Sequence, residues 1–210
     1  MYAPQEDTEL LAGALSDEPL RPGADVLDVG TGSGALALEA ARRGNRVTAV
    51  DVSWSAVWAA RLNARLAGLP VSIRHGNLFE PVQGRKFDLI LANPPYVPSP
   101  DGPHRPPRGA ARAWDAGADG RLVVDRICRE APGLLRPGGV LLLVQSALSA
   151  PDLTVGQLRS AGLKAAVTRR HRIALGPVLR GREAWLRERG LLPAAEDKEE
   201  LVVVRAELPV

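Results

Sequence analysis

A glycine-rich run between an apolar segment and a helix pattern constrains this chain most. Asp28-Val29-Gly30-Thr31-Gly32-Ser33-Gly34 follows the apolar residues 24–29 and precedes the helical pattern of residues 35–43. Glycines at such a turn let the chain reverse tightly and let a ligand approach the backbone. Asp51 ends the next apolar run, where a carboxylate can accept hydrogen bonds from both ribose hydroxyls of an adenosine group. We therefore predict a nucleoside site at this strand–turn–helix unit.

The rest of the chain continues the alternation of strand and helix patterns. Alternating strands and helices imply parallel pairing, right-handed crossovers and helices on both faces of the sheet. We predict an α/β fold: a doubly wound, seven-stranded, mostly parallel sheet whose last strand is antiparallel. Strand patterns occupy residues 24–29, 46–51, 71–75, 87–92, 140–145, 163–168 and 201–206, and helix patterns occupy residues 6–15, 35–43, 53–66, 122–135 and 152–161. Ser53 or Ser55 is the expected cap of the third helix.

Length and composition fit one domain. The 210 residues are 45% apolar and 24% charged, which is ordinary for a globular protein and sufficient for one full core. We predict a single domain over residues 1–210. Within it, residues 169–200, with a short helix at 180–189, form either a lid or a solvated insertion, and the insertion is favoured.

Several properties predict a cytoplasmic protein. No apolar run reaches the roughly 20 residues that cross a bilayer, so no membrane partner is expected. The acidic N-terminal segment lacks the order of a signal peptide. The single cysteine, Cys128, excludes an internal disulfide, and its helical apolar surroundings predict a buried core thiol. The net charge of +3 permits an anionic partner without requiring one.

The glycine loop favours S-adenosylmethionine over NAD as the nucleoside ligand. The NAD fingerprint needs Gly-x-Gly-x-x-Gly to seat a pyrophosphate on the helix N-terminus. This loop instead has Gly-x-Gly-x-Gly, and it is preceded by the acidic residue Asp28. S-adenosylmethionine has no phosphate, and its ammonium group favours nearby acceptors such as this carboxylate.

The run Asn93-Pro94-Pro95-Tyr96 follows the apolar strand pattern of residues 87–92. Consecutive prolines hold the backbone extended and lack N–H donors, so the carbonyls before them are free to accept other hydrogen bonds. An amide and an aromatic ring flank them, which suits a planar NH2 group: two acceptors hold its hydrogens and the ring packs on its face. A Pro-rich turn without function is the alternative.

Together, these motifs resemble class I S-adenosylmethionine-dependent methyltransferases, and more narrowly the HemK family of protein-glutamine N5-methyltransferases. Two further stretches resemble this family. Residues 2–11, which contain Glu6-Asp7-Thr8, are similar to the N-terminal segment of its small single-domain branch. Residues 113–120 are similar to the loop that follows the catalytic tetrapeptide. The likeness covers residues 2–168 and the last strand.

The resemblance implies a role for each matching position. Gly30, Gly32 and Gly34 would line the methionine part of the cofactor, Asp51 would hold the ribose, and Asn77 would accept from the adenine amino group where relatives carry Asp. Glu6, Asp7 and Thr8 would close over the cofactor, or they merely cap a helix. Asn93 and the Pro94 carbonyl would bind the target NH2 group beside the cofactor. Pro95 and Tyr96 complete the tetrapeptide, and the Tyr96 ring would pack on the target NH2 group.

The acceptor and the partners stay open at this point. The resemblance implies a protein glutamine, for example in a translation release factor, and a small zinc-binding activator subunit as a partner. RNA or DNA amino groups are the alternative acceptors, with the arginine-rich residues 104–112 positioned to contact phosphates. A small molecule is a further alternative, as is a binding protein that has lost catalysis. His75, His104 and His171 lack ligand spacing, so no metal site is expected.

Overall fold

The computed structural model describes residues 6–100, 111 and 113–210. Seven strands form one sheet in the order β3-β2-β1-β4-β5-β7-β6. The strands are β1 (Asp25–Val29), β2 (Arg46–Asp51), β3 (Val71–His75), β4 (Phe87–Ala92), β5 (Leu135–Ser146), β6 (Lys164–Ala174) and β7 (Lys198–Glu207). The first five pair in parallel, and β7 runs antiparallel to both β5 and β6. The predicted α/β fold and its antiparallel last strand are confirmed.

Helices cover both faces of this sheet. They are α1 (Glu6–Asp17), α2 (Ala35–Arg42), α3 (Trp54–Ala67), α4 (Val124–Glu130), α5 (Pro151–Ser160), α6 (Pro177–Gly181) and α7 (Glu183–Glu188). Because both faces are covered, β4 is apolar nearly throughout rather than alternating. Cys128 lies in the core, where burial raises the pKa of its thiol to about 11. Within the described ranges, no helix has the length and apolar character needed to cross a membrane.

The helix predicted over residues 122–135 is wrong at its C-terminal end. The α4 helix stops at Glu130, and a single 3-10 turn, Ala131–Leu134, follows it because Pro132 and Gly133 cannot continue an α-helix. The β5 strand already begins at Leu135, five residues before the predicted start. An irregularity in its pairing with β4 accommodates Pro137 and the two glycines after it.

The predicted boundaries of the insertion, residues 169–200, are also wrong. Residues up to Ala174 extend β6, and β7 begins at Lys198. The charged run Arg169-Arg170-His171-Arg172 lies on an edge strand, where charges are tolerated because one side is solvated. The insertion is therefore residues 175–197. The helix expected at 180–189 is two short helices that meet at Arg182.

Candidate active site

A cavity of about 680 Å³ opens at the carboxyl ends of β1, β2 and β4. This is the crevice that a doubly wound sheet offers to ligands. It brings together ten of the residues that the sequence singled out, from five separate parts of the chain: Asp7, Thr8, Gly30, Gly32, Asp51, Asn77, Asn93, Pro94, Pro95 and Tyr96. Asp28 and Gly34 are not among its lining residues.

The glycine loop is fixed to the neighbouring strand and leaves space for a ligand. The backbone N–H groups of Gly30 and Thr31 both donate to the carbonyl of Val50, at 2.9 and 3.0 Å. Gly30 and Gly32 have positive φ angles of 74° and 56°, which favour glycine. Apart from its two chain neighbours, no described residue has an atom within 4 Å of the point where a Cβ of Gly32 would stand. The loop therefore presents open backbone to the cavity.

Gly34 has a packing role rather than a place in the cavity wall. Its φ is 89°, and a Cβ there would lie 3.2 Å from the Cβ of Ala60. The glycine lets the start of α2 approach α3 closely. The sequence placed Gly34 beside the cofactor, but the structure places it behind the loop.

Asp51 is held in one orientation at the end of β2. Its Oδ2 accepts from the N–H of Gly32 at 2.9 Å, and its Oδ1 accepts from the N–H of Ser53 at 2.8 Å. Each carboxylate oxygen keeps a second lone pair, which can accept a hydroxyl hydrogen. Ser53 is the residue before α3, as expected, but its side chain makes no capping bond and lies 2.8 Å from the Ser55 hydroxyl instead.

Asp28 is buried beneath the loop, with 1% of its surface exposed. Its Oδ2 accepts from the Thr31 hydroxyl at 2.6 Å and from the N–H of Ala37 at 3.1 Å. Its Oδ1 has no partner among the described residues. Burial, partly offset by these two bonds, raises the pKa of this carboxyl to about 6. A buried acceptor without a partner favours a cationic ligand group above the loop, and S-adenosylmethionine carries two positive charges.

The far end of the cavity contains two residues that sequence reasoning missed, Leu78 and Arg126. Leu78 has a φ of 50°, which is uncommon outside glycine and indicates a position over-determined by its surroundings. The Arg126 guanidinium donates to Oδ1 of Asn77 at 3.2 Å, while Nδ2 of Asn77 donates to Glu80 at 3.1 Å. The predicted acceptor Asn77 therefore already has a donor, and it keeps one lone pair for an adenine amino group.

The other end of the cavity is formed by the tetrapeptide and the first turn of α1. Nδ2 of Asn93 donates to the Thr8 hydroxyl at 3.4 Å. The Tyr96 hydroxyl donates to Oδ2 of Asp7 at 3.0 Å, and Asp7 is only 3% exposed. Oδ1 of Asp7 in turn accepts from the N–H of Thr8 at 2.6 Å. The acidic turn thus fixes both ends of the Asn93–Tyr96 run.

The chain after the tetrapeptide is paired with residues 114–117, the first two of which reach the same cavity. Val97 forms a parallel bridge with Asp115. The N–H of Val97 donates to the Trp114 carbonyl at 2.8 Å, and the N–H of Ala116 donates to the Val97 carbonyl at 3.0 Å. Trp114 and Asp115 both line the cavity. We call the paired residues 97–99 and 114–117 the entrance wall.

The remaining predictions concern metals and the arginine-rich loop. No group of three or more His, Cys, Asp or Glu side chains that could hold a metal ion occurs among the described residues. His75 stacks on Trp54, with ring centroids 4.0 Å apart. Of the arginine-rich loop, only Ala111 is described; residues 104–110 and 112, like residues 2–5 of the N-terminal stretch, lie outside the described part.

Comparison with known proteins agrees with this geometry. Residues 5–101 match the family described as the methyltransferase small domain. The chain is 36% identical over 174 residues to a putative protein N5-glutamine methyltransferase of Methanocaldococcus jannaschii, and the match covers 82% of this chain and 86% of that protein. It is 41% identical over 192 residues to the release factor glutamine methyltransferase of Deinococcus radiodurans. That match covers 89% of this chain but 66% of the longer relative.

Solved structures show the same fold. The E. cuniculi Mtq2–Trm112 complex contains a chain that superposes with a TM-score of 0.70 at 24% identity, covering 98% of this chain and 97% of the other. A methyltransferase from Pyrococcus furiosus superposes with a TM-score of 0.61 at 19% identity, covering 91% and 78%. The M. jannaschii relative is 36% identical along most of its length, and the solved structures share the fold. The chain therefore belongs to the HemK-like protein N5-glutamine methyltransferases, which are S-adenosylmethionine-dependent enzymes.

Proposed function

We propose that this chain methylates the side-chain nitrogen of a glutamine in a protein of the translation release factor type. The observation that carries the proposal is the Thr8–Asn93 contact. Because Nδ2 of Asn93 donates to Thr8, its Oδ1 is the atom that remains to accept from a substrate NH2 group. Relatives named for release factor glutamine methylation support the choice of acceptor.

In the cofactor part of the cavity, we assign Asp51 to the two ribose hydroxyls. Gly30 and Gly32 lie under the methionine part, and Asn77 with Leu78 lies at the adenine. Asp28, below the loop, favours positive charge at this position. When bound, S-adenosylmethionine supplies an electrophilic methyl group on a sulfonium, whose positive charge is lost as the methyl group departs.

In the acceptor part, the protein positions a poor nucleophile. An amide nitrogen is weakly nucleophilic because its lone pair is delocalised into the carbonyl. The Asn93 Oδ1 and the Pro94 carbonyl each accept one N–H of the substrate, which adds electron density to the nitrogen and aims it at the methyl group. Tyr96 packs on the amide face, with its hydroxyl fixed by Asp7. The nitrogen would give up one of its two protons to water as it is methylated, because a protonated N-methyl amide is a strong acid. Orientation and electrostatics, rather than a strong base, then account for catalysis.

The test is methyl transfer from labelled S-adenosylmethionine to release factor, tRNA, rRNA and DNA in parallel. We expect label on a release-factor glutamine and at least a hundredfold loss in Asn93→Ala, since oriented contacts of this kind are worth roughly two orders of magnitude. Asn45→Ala is the matched control, because buried Asn45 donates to the Ala40 carbonyl outside the cavity. Label found only in nucleic acid would overturn the proposal.

We also propose that this chain binds a small activator subunit. The E. cuniculi Mtq2–Trm112 complex is described as responsible for methylation of the eRF1 termination factor. In this chain, α3 exposes four large apolar side chains spaced four residues apart, beside the edge strand β3. They are Trp54, Trp58, Leu62 and Leu66, with between 56% and 77% of each exposed. Residues 52–79 contain three arginines and no carboxylate, so the surface fits a partner with an apolar face bordered by acidic residues.

Co-expression with a Trm112-type subunit tests this surface. We expect the pair to co-purify, and Trp58→Ser with Leu62→Ser to abolish co-purification. Leu153→Ser is the matched control, since Leu153 is 50% exposed on α5, away from the surface. Undiminished co-purification of the double variant, or binding of the surface to anionic lipid vesicles instead, would contradict the proposal.

A further inference from the structure

The insertion between β6 and β7, residues 175–197, packs against the acceptor part of the site. Four of its five leucines are at most 5% exposed and belong to the same core cluster as Tyr96 and Val97; they are Leu175, Leu179, Leu186 and Leu192. The expectation of a solvated insertion is therefore wrong for these positions. The segment lies against the chain that follows the tetrapeptide.

Arg182 connects the insertion to both strands of the entrance wall. One guanidinium nitrogen, Nη1, donates to the Pro98 carbonyl at 2.8 Å. The other, Nη2, forms an ion pair with Oδ1 of Asp115 at 2.6 Å, a contact that does not have the geometry of a hydrogen bond. Pro98 and Asp115 belong to opposite sides of the wall. A single planar side chain therefore holds the two sides together, as the fixed fork of arginine allows.

The Arg182–Asp115 ion pair is shielded from water. The Asp115 side chain is 8% exposed and that of Arg182 is 18% exposed. The second carboxylate oxygen of Asp115 is weakly bonded, by the Ser99 hydroxyl at 3.5 Å. Removing the cation would leave a buried carboxylate largely uncompensated, which is costly. The wall would then rearrange to hydrate Asp115.

We propose that Arg182 is a positioning residue for the methyl acceptor. It touches no reacting atom. It acts by holding residues 97–99 against residues 114–117, and its bond to Pro98 lies two positions after Tyr96 in the chain. The cofactor part of the cavity is held by other contacts, such as those of Gly32 and Ser53 with Asp51. Loss of Arg182 should therefore weaken acceptor binding and turnover and spare the affinity for S-adenosylmethionine. This inference rests on the proposed function for its acceptor.

The test compares Arg182→Met, Arg182→Lys and Asp115→Asn with the control Arg187→Met. Arg187 belongs to the same insertion and pairs with Glu183 at 2.7 Å on the surface. We expect Arg182→Met to lower kcat/KM for the release factor about thirtyfold, since small misplacements cost up to a hundredfold. The Kd for S-adenosylmethionine should change less than about twofold. Arg182→Lys should recover part of the loss, and Arg187→Met should match the wild type.

Amide hydrogen exchange provides a second measurement that needs no acceptor. In Arg182→Met and in Asp115→Asn, the N–H groups of Val97, Ser99 and Ala116 should exchange faster, while those of β1 and β2 stay protected. Unchanged exchange at these three amides would overturn the inference, as would equal losses of acceptor turnover and cofactor affinity. If the wild type methylates no protein glutamine, the proposed function fails, and exchange still decides the role of Arg182.

Discussion

The two halves of the cavity are assembled in different ways. The cofactor half follows the parallel strands directly, and it is held mainly by backbone contacts such as those of Gly30 and Thr31 to the Val50 carbonyl. The acceptor half joins distant parts of the chain through side chains, as in the bonds from Asn93 to Thr8 and from Arg182 to Pro98. Substitutions in the first half should therefore remove ligand contacts, whereas those in the second should separate elements of the fold.

The largest effect is expected for Asp51→Ala in the cofactor half. The variant lacks the carboxylate, and with it two charge-assisted bonds to the ribose, each worth about 2 kcal/mol. We expect the affinity for S-adenosylmethionine in calorimetry to fall about a thousandfold, or about 4 kcal/mol. The variant also loses the acceptor of the Gly32 and Ser53 N–H groups, so its thermal stability should fall as well, and the affinity is measured at a temperature where it is folded. Asp88→Ala, at the opposite end of the sheet, should bind the cofactor like the wild type. Unchanged affinity in Asp51→Ala would show that the ribose lies elsewhere.

The next largest effect is expected for Gly120→Ala in the acceptor half. Gly120 has a φ of 73°, and a Cβ there would lie 2.3 Å from the Tyr96 carbonyl oxygen. The backbone must move, at a cost of about 3 kcal/mol in the free energy of unfolding. Denaturant unfolding measures this loss.

The Gly120→Ala variant also separates the two halves. At a temperature where it is folded, acceptor turnover should fall by more than the affinity for S-adenosylmethionine. Gly133→Ala is a suitable control, because no described residue beyond its chain neighbours lies within 4 Å of the added methyl group and φ is not positive. If both measurements fell equally in Gly120→Ala, the halves would not be independent.

The smallest effect is expected from pH at Glu199. This residue begins the buried part of β7, where burial, and to a lesser degree the charge of Asp7, raises the pKa of its carboxyl to about 7. The folded chain then holds a proton that the unfolded chain releases above its ordinary pKa of 4.5. The contribution of this carboxyl to the free energy of unfolding is therefore greatest at low pH. It decreases by about 2 kcal/mol between pH 5 and pH 7.

Glu199→Gln should remove this part of the pH dependence. Urea unfolding at pH 5 and at pH 7 measures the change, and the variant should gain stability relative to the wild type as the pH rises. The buried Asp28 carboxyl, whose pKa is raised to about 6, has the same sign and stays in both proteins. A constant difference between variant and wild type at the two pH values would contradict the assignment.

The same contrast explains which parts the sequence could predict. The strands, the glycine loop and the residue at the end of β2 follow from local patterns, because each depends on neighbours within a few positions. Helix ends were less certain, as at Glu130, where proline and glycine act against an otherwise helical pattern. The packing of Gly34 against Ala60 could not be foreseen, because Ala60 lies on another helix.

The acceptor half could be predicted only in part. The Asn93–Tyr96 run and the loop at residues 113–120 were each recognisable, but nothing local indicates that they pair. Arg182 lies in the segment for which a solvated insertion was favoured over a lid, and its partners Pro98 and Asp115 are more than 60 positions away. Only the tertiary structure distinguishes it from surface arginines such as Arg187.

The attachment of α1 sets the order in which the site can form during synthesis. Arg205 of β7 bonds Glu18 just after this helix at 2.7 Å, across 187 positions, and Arg169 of β6 bonds the Gly13 carbonyl at 3.1 Å. The helix leaves the ribosome well before β6 and β7, which hold it in place. Thr8 and Asp7 are therefore fixed against Asn93 and Tyr96 only after both strands have been synthesised, and such long-range closure is slow to form. Catalytic competence would wait for β7.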